Sequence, residues 1–216
     1  ECYSTTEFNI NIYTTPTASP VEDLFECDDD NDGVLSFDFV ESQNQVFDEQ
    51  DPTAFSVSYH LSQEDADAND NALAIPYFNT NTTEQIFVRI ENNDNTSCFD
   101  TTSFNLNVFD TPVANTVQTY EVCDDLNDGD DANGQTEIVL TDFNTEVLNG
   151  QDADLFNISY HLSQQDADSN TNAIVSPYYN NGNPFSYQVF VRIENSLKVE
   201  CYSTTEFNIN IYTTPT

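Results

Sequence analysis

Basic residues are almost missing from this chain of 216 residues. Three Lys and Arg stand against 39 Asp and Glu, a formal net charge of −36. A surface of that sign repels nucleic acid and anionic lipid, so neither is expected as a partner. It also repels itself unless cations neutralise it. Long apolar runs are missing as well. Nothing reads as a signal peptide or a membrane-spanning helix, and direct membrane insertion is not expected. Met and Trp are absent, and nothing follows from that. Low hydrophobicity with high net charge often marks disorder. Against disorder stand 16 Phe, 11 Tyr and regular alternation of apolar and polar residues. The balance predicts a folded chain that depends on cations.

What is present is repetition. ECYSTTEFNINIYTTPT opens the chain at residues 1–17 and closes it, unchanged, at residues 200–216. The period is therefore 199 residues, as in a window on a tandem array. Such arrays more often serve mechanical or display roles than catalysis. The period divides again. Tyr59-His60-Leu61-Ser62-Gln63 recurs as Tyr160-His161-Leu162-Ser163-Gln164, and Phe87-Val88-Arg89-Ile90-Glu91-Asn92 as Phe190-Val191-Arg192-Ile193-Glu194-Asn195. Cys27-Asp28-Asp29 recurs as Cys123-Asp124-Asp125. Two homologous modules follow, 18–112 and 113–216, with 1–17 as the terminal strand of a preceding module. Thr15-Pro16, Thr111-Pro112 and Thr214-Pro215 mark the boundaries, where proline removes a ladder donor and stiffens the exit. The linkers are short and poor in glycine, which suits semi-rigid neighbours.

Period-2 alternation over Phe55–Leu61, Ile86–Ile90 and Phe104–Val108 predicts strands, and Val34–Phe37 another. Phe39–Phe47 and Phe143–Leu148 read as short helices. Seven or so short strands per module predict an all-β fold, a tandem array of immunoglobulin-like β-sandwich modules, with a jelly-roll variant as the alternative.

Five cysteines in small β modules argue for an oxidising, extracellular compartment. One scheme pairs Cys27 with Cys98 and Cys123 with Cys201, leaving Cys2 for a cysteine outside the window. A second pairs Cys2 with Cys27 and Cys98 with Cys123, stapling adjacent modules. Zinc is disfavoured because the cysteines are not clustered and both histidines are remote from them.

Acidic loops are the candidate metal sites. Asp28, Asp30 and Asp32 with Gly33 fit D-x-D-x-D-G, with Asp29 and Asn31 between them. Alternate oxygen donors converge when the backbone turns round a cation, and hard oxygens suit Ca²⁺. Phe39 stands where an EF-hand would place its bidentate Glu. The second module keeps Asp124, Asp125, Asn127 and Asp128 but has Leu126 in place of Asp30; an insertion beginning at Asp130 offers replacements. A further loop, D-x-D-x-N, supplies Asp65, Asp67 and Asn69, and in the second module Asp166, Asp168 and Asn170. The competing reading of each loop is a solvated acidic turn with Asx capping. Arg89 and Arg192 are expected to pair with carboxylates of their own modules, and His60 and His161 to be structural. No catalytic residue is identified, and the chain is not expected to be an enzyme.

The ordered set C-D-D-x-N-D-G, Y-H-L-S-Q-x-D-A-D, F-V-R-I-E-N and C-x-x-T-T-x-F-N resembles repeats of very long surface adhesins in Bacteroidota, of the gliding-motility and type IX secretion cargo type. The resemblance implies a secreted structural repeat of a cell-surface fibre, whose partners are neighbouring copies of itself. Surface glycans or other cells would be reached through regions elsewhere. Two other readings stay open: a carbohydrate-binding array, and an accessory region of a secreted hydrolase.

Overall fold

The computed structural model describes residues 2–181 and 185–213. The boundary expected at Thr214-Pro215 lies outside them. The chain divides into two compact units, residues 1–26 with 33–108, and residues 27–32 with 109–216.

The elements of the first half are β1 (Leu24–Asp28), β2 (Ser36–Phe37), α1 (Val40–Phe47), β3 (Phe55–His60), α2 (Gln63–Ala68), β4 (Tyr77–Phe78), β5 (Thr83–Asn92) and β6 (Asn95–Asp110). A four-stranded sheet has the order β1-β6-β5-β3, and β2 pairs with β4 in a second sheet. The second half repeats the plan. Its elements are β7 (Tyr120–Cys123), β8 (Glu137–Ile138), a 3-10 turn (Leu140–Phe143), α3 (Asn144–Leu148), β9 (Phe156–His161), α4 (Gln164–Ser169), β10 (Tyr178–Tyr179), β11 (Ser186–Asn195) and β12 (Tyr202–Tyr212). The order β7-β12-β11-β9 mirrors the first sheet, with β8 and β10 forming the smaller one. β12 runs antiparallel to β11 and parallel to β7. First strand beside last, in parallel, closes each immunoglobulin-like unit. The fold is tandem, immunoglobulin-like and all-β, as the alternation predicts.

The alternation decides which faces are buried. In β5, Ile86, Val88 and Ile90 are fully buried; in β11, Val189, Val191 and Ile193 are. They meet Phe104, Leu106 and Val108 of β6, or Phe207, Ile209 and Ile211 of β12. Phe39 caps α1 with a left-handed backbone, φ 55°. That conformation costs roughly 1–2 kcal/mol in an L-residue. Its ring lies 4.7 Å from that of Tyr59 and edge-on to Phe104 at 5.7 Å, contacts that repay it. The residue at the EF-hand glutamate position is thus a core anchor.

Both arginines are buried. Arg192 Nε donates to Glu194 (2.6 Å), Nη1 to the carbonyls of Ala167 and Asp168 (both 3.1 Å), and Nη2 to Val199 O (2.5 Å). Its guanidinium lies 3.6 Å above the ring of Tyr202. Arg89 repeats this with Glu91, Ala66, Asp67, Thr96 and Phe99. Each arginine ties a short helix to the hairpin that follows it, pairing within its own module as expected. The histidines are structural too: each is fully buried between a Ser hydroxyl and a backbone carbonyl.

Residues 2–17 are a departure. They carry no strand, and Tyr3, Phe8, Ile10 and Ile12 are exposed. The same letters at 202–211 form β12, with Phe207, Ile209 and Ile211 buried. A strand's backbone groups need partners in a ladder, and residues 2–17 have none beside them. Hydrogen exchange checks this directly, because identical sequences share intrinsic rates. Amides of residues 203–211 are expected to exchange at least a hundredfold more slowly than their counterparts at 4–12. Equal rates would show that β12 is not formed.

Candidate functional site

The end of β1 and the loop after it bring together the chain's covalent and electrostatic features. Asp28 is fully buried. Its Oδ1 accepts the N–H groups of Asp30 (3.3 Å) and Asn31 (3.1 Å), an Asx turn. Asn31 grips the backbone at Thr111 with both side-chain atoms: Nδ2 donates to Thr111 O (3.1 Å) and Oδ1 accepts from Thr111 N (2.9 Å). Gly33, at φ 78°, supplies the left-handed residue that ends the turn.

Asp28, Asp30 and Asp32 converge, with one carboxylate oxygen from each lying within 4.8 Å of the others. Among the described residues this is the one such grouping. The hydrogen bond shared with Asp28, and then the charge of Asp32, push the Asp30 carboxyl above its ordinary range. A raised carboxyl binds its proton more tightly folded than unfolded. The crowding therefore opposes folding at neutral pH and eases as pH falls, or as a cation enters. Three hard oxygens this close together fit a divalent cation such as Ca²⁺. Of the other expected ligands, Asp29 stands outside the group and Asn31 uses its side-chain amide on Thr111.

The other acidic loops are arranged differently. Asp124 accepts the amides of Asp125 (2.9 Å) and Gly134 (2.7 Å). Asp125 accepts from Asn127 and from the Thr136 hydroxyl. Asp128 accepts from Asn133 and from Tyr179 OH (2.8 Å), and Asp130 from the Ala132 amide. These oxygens serve the loop itself. D-x-D-x-N is no loop at all but the helical turns α2 and α4. Ser62 and Ser163 cap them, each accepting the amide three residues on and donating to the carboxylate of Asp65 or Asp166 (2.6 Å). Asp67 and Asp168 accept from Gln63 and Gln164. Asn69 and Asn170 are left-handed C-caps that donate to Glu91 and Glu194. The signal was in the sequence: S-x-x-D before a helical turn is a capping box.

The disulfide joins Cys27 to Cys201, 174 residues apart in sequence. Cys2, Cys98 and Cys123 are thiols. Both sequence schemes are therefore corrected. The reason against pairing within a module is geometric. Cys123 lies opposite Tyr212 in the parallel ladder. Cys201 precedes the other end of β12, about 35 Å away at the rise of a strand. In the first module Asp28 O accepts from Thr111 N (2.9 Å), which sets Cys27 about 40 Å along β6 from Cys98. A disulfide needs Cα atoms within about 7 Å; those of Cys27 and Cys201 are 5.4 Å apart.

The chain belongs to the family of the Flavobacterium inter-domain disulphide bond domain, whose model matches it twice, at residues 23–112 and 119–215. The Cys27–Cys201 bond runs from the first match to the second. No curated protein matches the chain. Among solved structures it is similar to a three-immunoglobulin segment of titin, domains I67–I69, at 10% identity and TM-score 0.30, over 74% of this chain and 55% of that one. The human desmocollin-1 ectodomain is similar at 9% identity and TM-score 0.23, over 72% and 33%. The chain thus spans about half of the one and a third of the other. The first two domains of human mucin-like protocadherin are similar at 9% identity and TM-score 0.23, over 76% and 85%.

Closing a ring of 174 residues removes chain entropy from the unfolded state worth up to about 5 kcal/mol. Cys27→Ser is expected to lower the denaturation midpoint by a corresponding fraction, and reductant to do the same to the parent chain. An unchanged midpoint in both would show that the bond carries no stability.

The helix caps give a pH dependence. Hydrogen bonds from Ser62 and then Asn71 hold the Asp65 carboxyl below its usual value of 3.8; Ser163 and then Asn172 do so for Asp166. A depressed carboxyl stabilises the fold above the unfolded value, and that contribution fades as pH falls through the folded one. In Ser62→Ala the Asp65 titration, followed by NMR, should move up toward 3.8 while that of Asp166 stays in place.

Proposed function

We propose, from its membership of that family, that this chain is a structural repeat segment of an extracellular, adhesin-like fibre or filament. The observation that carries the reading is the Cys27–Cys201 bond. Tension entering at residue 1 runs along the backbone to Cys27, crosses the sulfurs and leaves from Cys201 to residue 216. The chain between the cysteines lies off that load path, whereas β12, which follows Cys201, lies on it. A covalent bypass of this kind suits a load-bearing stalk. Chemistry on a substrate does not require it.

Other features support the reading. A 17-residue sequence recurring unchanged after 199 residues fits a tandem array. A disulfide persists in oxidising surroundings, which favours a secreted, cell-surface location. No described helix is long and apolar enough to cross a membrane. The composite motif favours the surface adhesins of Bacteroidota, of the gliding-motility and type IX secretion cargo type. In such a fibre each module's partners are the copies beside it, and attachment to glycans or cells belongs to regions elsewhere.

Pulling the chain by its ends tests the bypass. Oxidised, it should lengthen only by residues outside the ring. Reductant should add 174 residues, roughly 600 Å of extended chain. Full extension before reduction would sink the stalk reading.

Calcium is part of the proposal at one place, the Asp28, Asp30 and Asp32 cluster. Millimolar Ca²⁺ should raise the melting temperature by several degrees over Mg²⁺ at equal ionic strength. Asp30→Asn should remove the difference, and Asp166→Asn should leave it intact. Equal effects of the two ions would reduce the cluster to a solvated turn.

A further inference from the structure

Each module grips the chain that enters it, and both modules grip at the same places. In the first, the Thr17 amide donates to Gln50 Oε1 (2.9 Å), and Gln50 Nε2 donates back to Thr17 O (2.7 Å). In the second, Val113 and Gln151 make the same pair, at 2.8 Å in both directions. A side-chain amide here does what the peptide groups of a neighbouring strand would do, giving one hydrogen bond and taking one. One residue on, the Ala18 amide donates to Asp100 Oδ2 (2.9 Å) and the Ala114 amide to Ser203 Oγ (2.6 Å). Upstream, Asn92 Nδ2 donates to Thr14 O (2.9 Å) and Asn195 Nδ2 to Asp110 O (3.0 Å). Pro16 and Pro112, inside the grip, are buried. Proline has no N–H, so neither strands a donor there.

The gripping side chains are themselves fixed. Asp48 and Asn149 end α1 and α3 with left-handed backbones, φ 49° and 46°. That turn brings Gln50 and Gln151 back over the helix end, where Nε2 also donates to Phe47 O (3.2 Å) or Leu148 O (2.9 Å). Asn92 and Asn195 are buried, and Oδ1 of each accepts amides of the turn that follows it, Asp94 and Asn95 or Leu197 and Lys198. The atoms gripped in the entering segment belong to the backbone. Thr14-Thr15-Pro16-Thr17 and Asp110-Thr111-Pro112-Val113 are therefore held alike, although their side chains differ.

We propose that this latch is a stop that confines unfolding to one module. The proposal rests on the tandem-module reading and adds how such a stalk limits damage. Residues 2–17 show the arrangement. Upstream of Thr14 the chain carries no strand, yet from Thr14 onward its backbone is bonded to the first module. At Asp110 the second latch takes hold where β6, the last strand of the first module, ends. When β6 is stripped from its sheet, fraying runs along the chain to Asp110 and meets side chains of the second module. Gln151, Asn195 and Ser203 do not depend on β6 for their places, so the entrance to the second module stays shut.

Hydrogen exchange of the oxidised chain, followed by NMR and corrected for intrinsic rates, tests the latch and then the stop. Thr17 and Ala18 should exchange roughly tenfold more slowly than residues 4–12, and so should Val113 and Ala114. Gln50→Ala should bring Thr17 to the fast rate and leave Val113 slow; Gln151→Ala should do the reverse. For the stop, Val88→Asp puts a carboxylate among the buried side chains of β5, and urea is added until the Ile90 amide has lost its protection. Val113 and Ala114 should then stay slow together with Val191 of β11. Gln151→Ala in the same background should release Val113. Thr17 exchanging as fast as residues 4–12 in the parent chain would remove the latch. Fast exchange at Val113 and Ala114 while Val191 stays slow would show fraying passing the latch, and would overturn the proposal. So would loss of protection at Val191 along with Ile90, because unfolding would then have crossed into the second module. None of these results touches the covalent bypass, which is read by extension under load.

Discussion

Three cations among 39 carboxylates leave no means of holding this fold together with surface ion pairs. The chain places two of the three inside. Arg89 and Arg192 are 3% exposed, and each spends its guanidinium on one carboxylate, three carbonyls and one ring. Removing one partner of a buried pair strands charge and carbonyls at a cost of several kcal/mol, so the position tolerates little change. The arginine also presents the strand that carries the cysteine. Phe99 and Tyr202, the rings beneath the guanidinium groups, directly follow Cys98 and Cys201. In the second module the electrostatic anchor therefore sits next to the covalent link, and in the first it sits next to the Cys98 thiol.

With those cations inside, the surface is acidic almost throughout. Screening at physiological salt reaches about 8 Å, so neighbouring carboxylates still interact strongly. The chain relieves most of this locally. Caps on α2 and α4, and Asx turns around Asp124 and Asp128, give carboxylates amide and hydroxyl donors. The triad of Asp28, Asp30 and Asp32 holds three carboxylates close together even with the amides Asp28 accepts, and it lies directly beside Cys27. A cation bound there would stiffen the turn that follows Cys27.

Much of the fold was legible in the residues. Alternation in Phe55–His60 and Ile86–Ile90 specified strands and their buried faces, because the side-chain period of a strand is two. The helices after Phe39 and Phe143 could be read as well. At the candidate site, the convergence of Asp28, Asp30 and Asp32 was visible because alternate residues on a tight turn share a centre. Asp65-Ala66-Asp67 misled for the same reason: its spacing matches a cation loop, while Ser62 three residues earlier makes it a helix. Spacing counts donors but does not say whether amide groups claim them first. In the second-module loop the carboxylates accept from Gly134, Thr136 and Asn133.

The sequence alone determined the two-module repeat, the all-β character, the buried arginines' pairing within their modules and the acidity of the surface. These follow from local periodicity and composition, which need no knowledge of distant neighbours. Only the tertiary structure decided which cysteines meet, because connectivity depends on where the ends of strands fall. It also decided the fate of the repeated 17-residue sequence. At 202–212 that sequence is a central strand with β7 and β11 on either side; at 2–17 it has no ladder and no strand forms. Identical letters take two conformations because a strand satisfies its backbone only through partners that its own sequence does not contain.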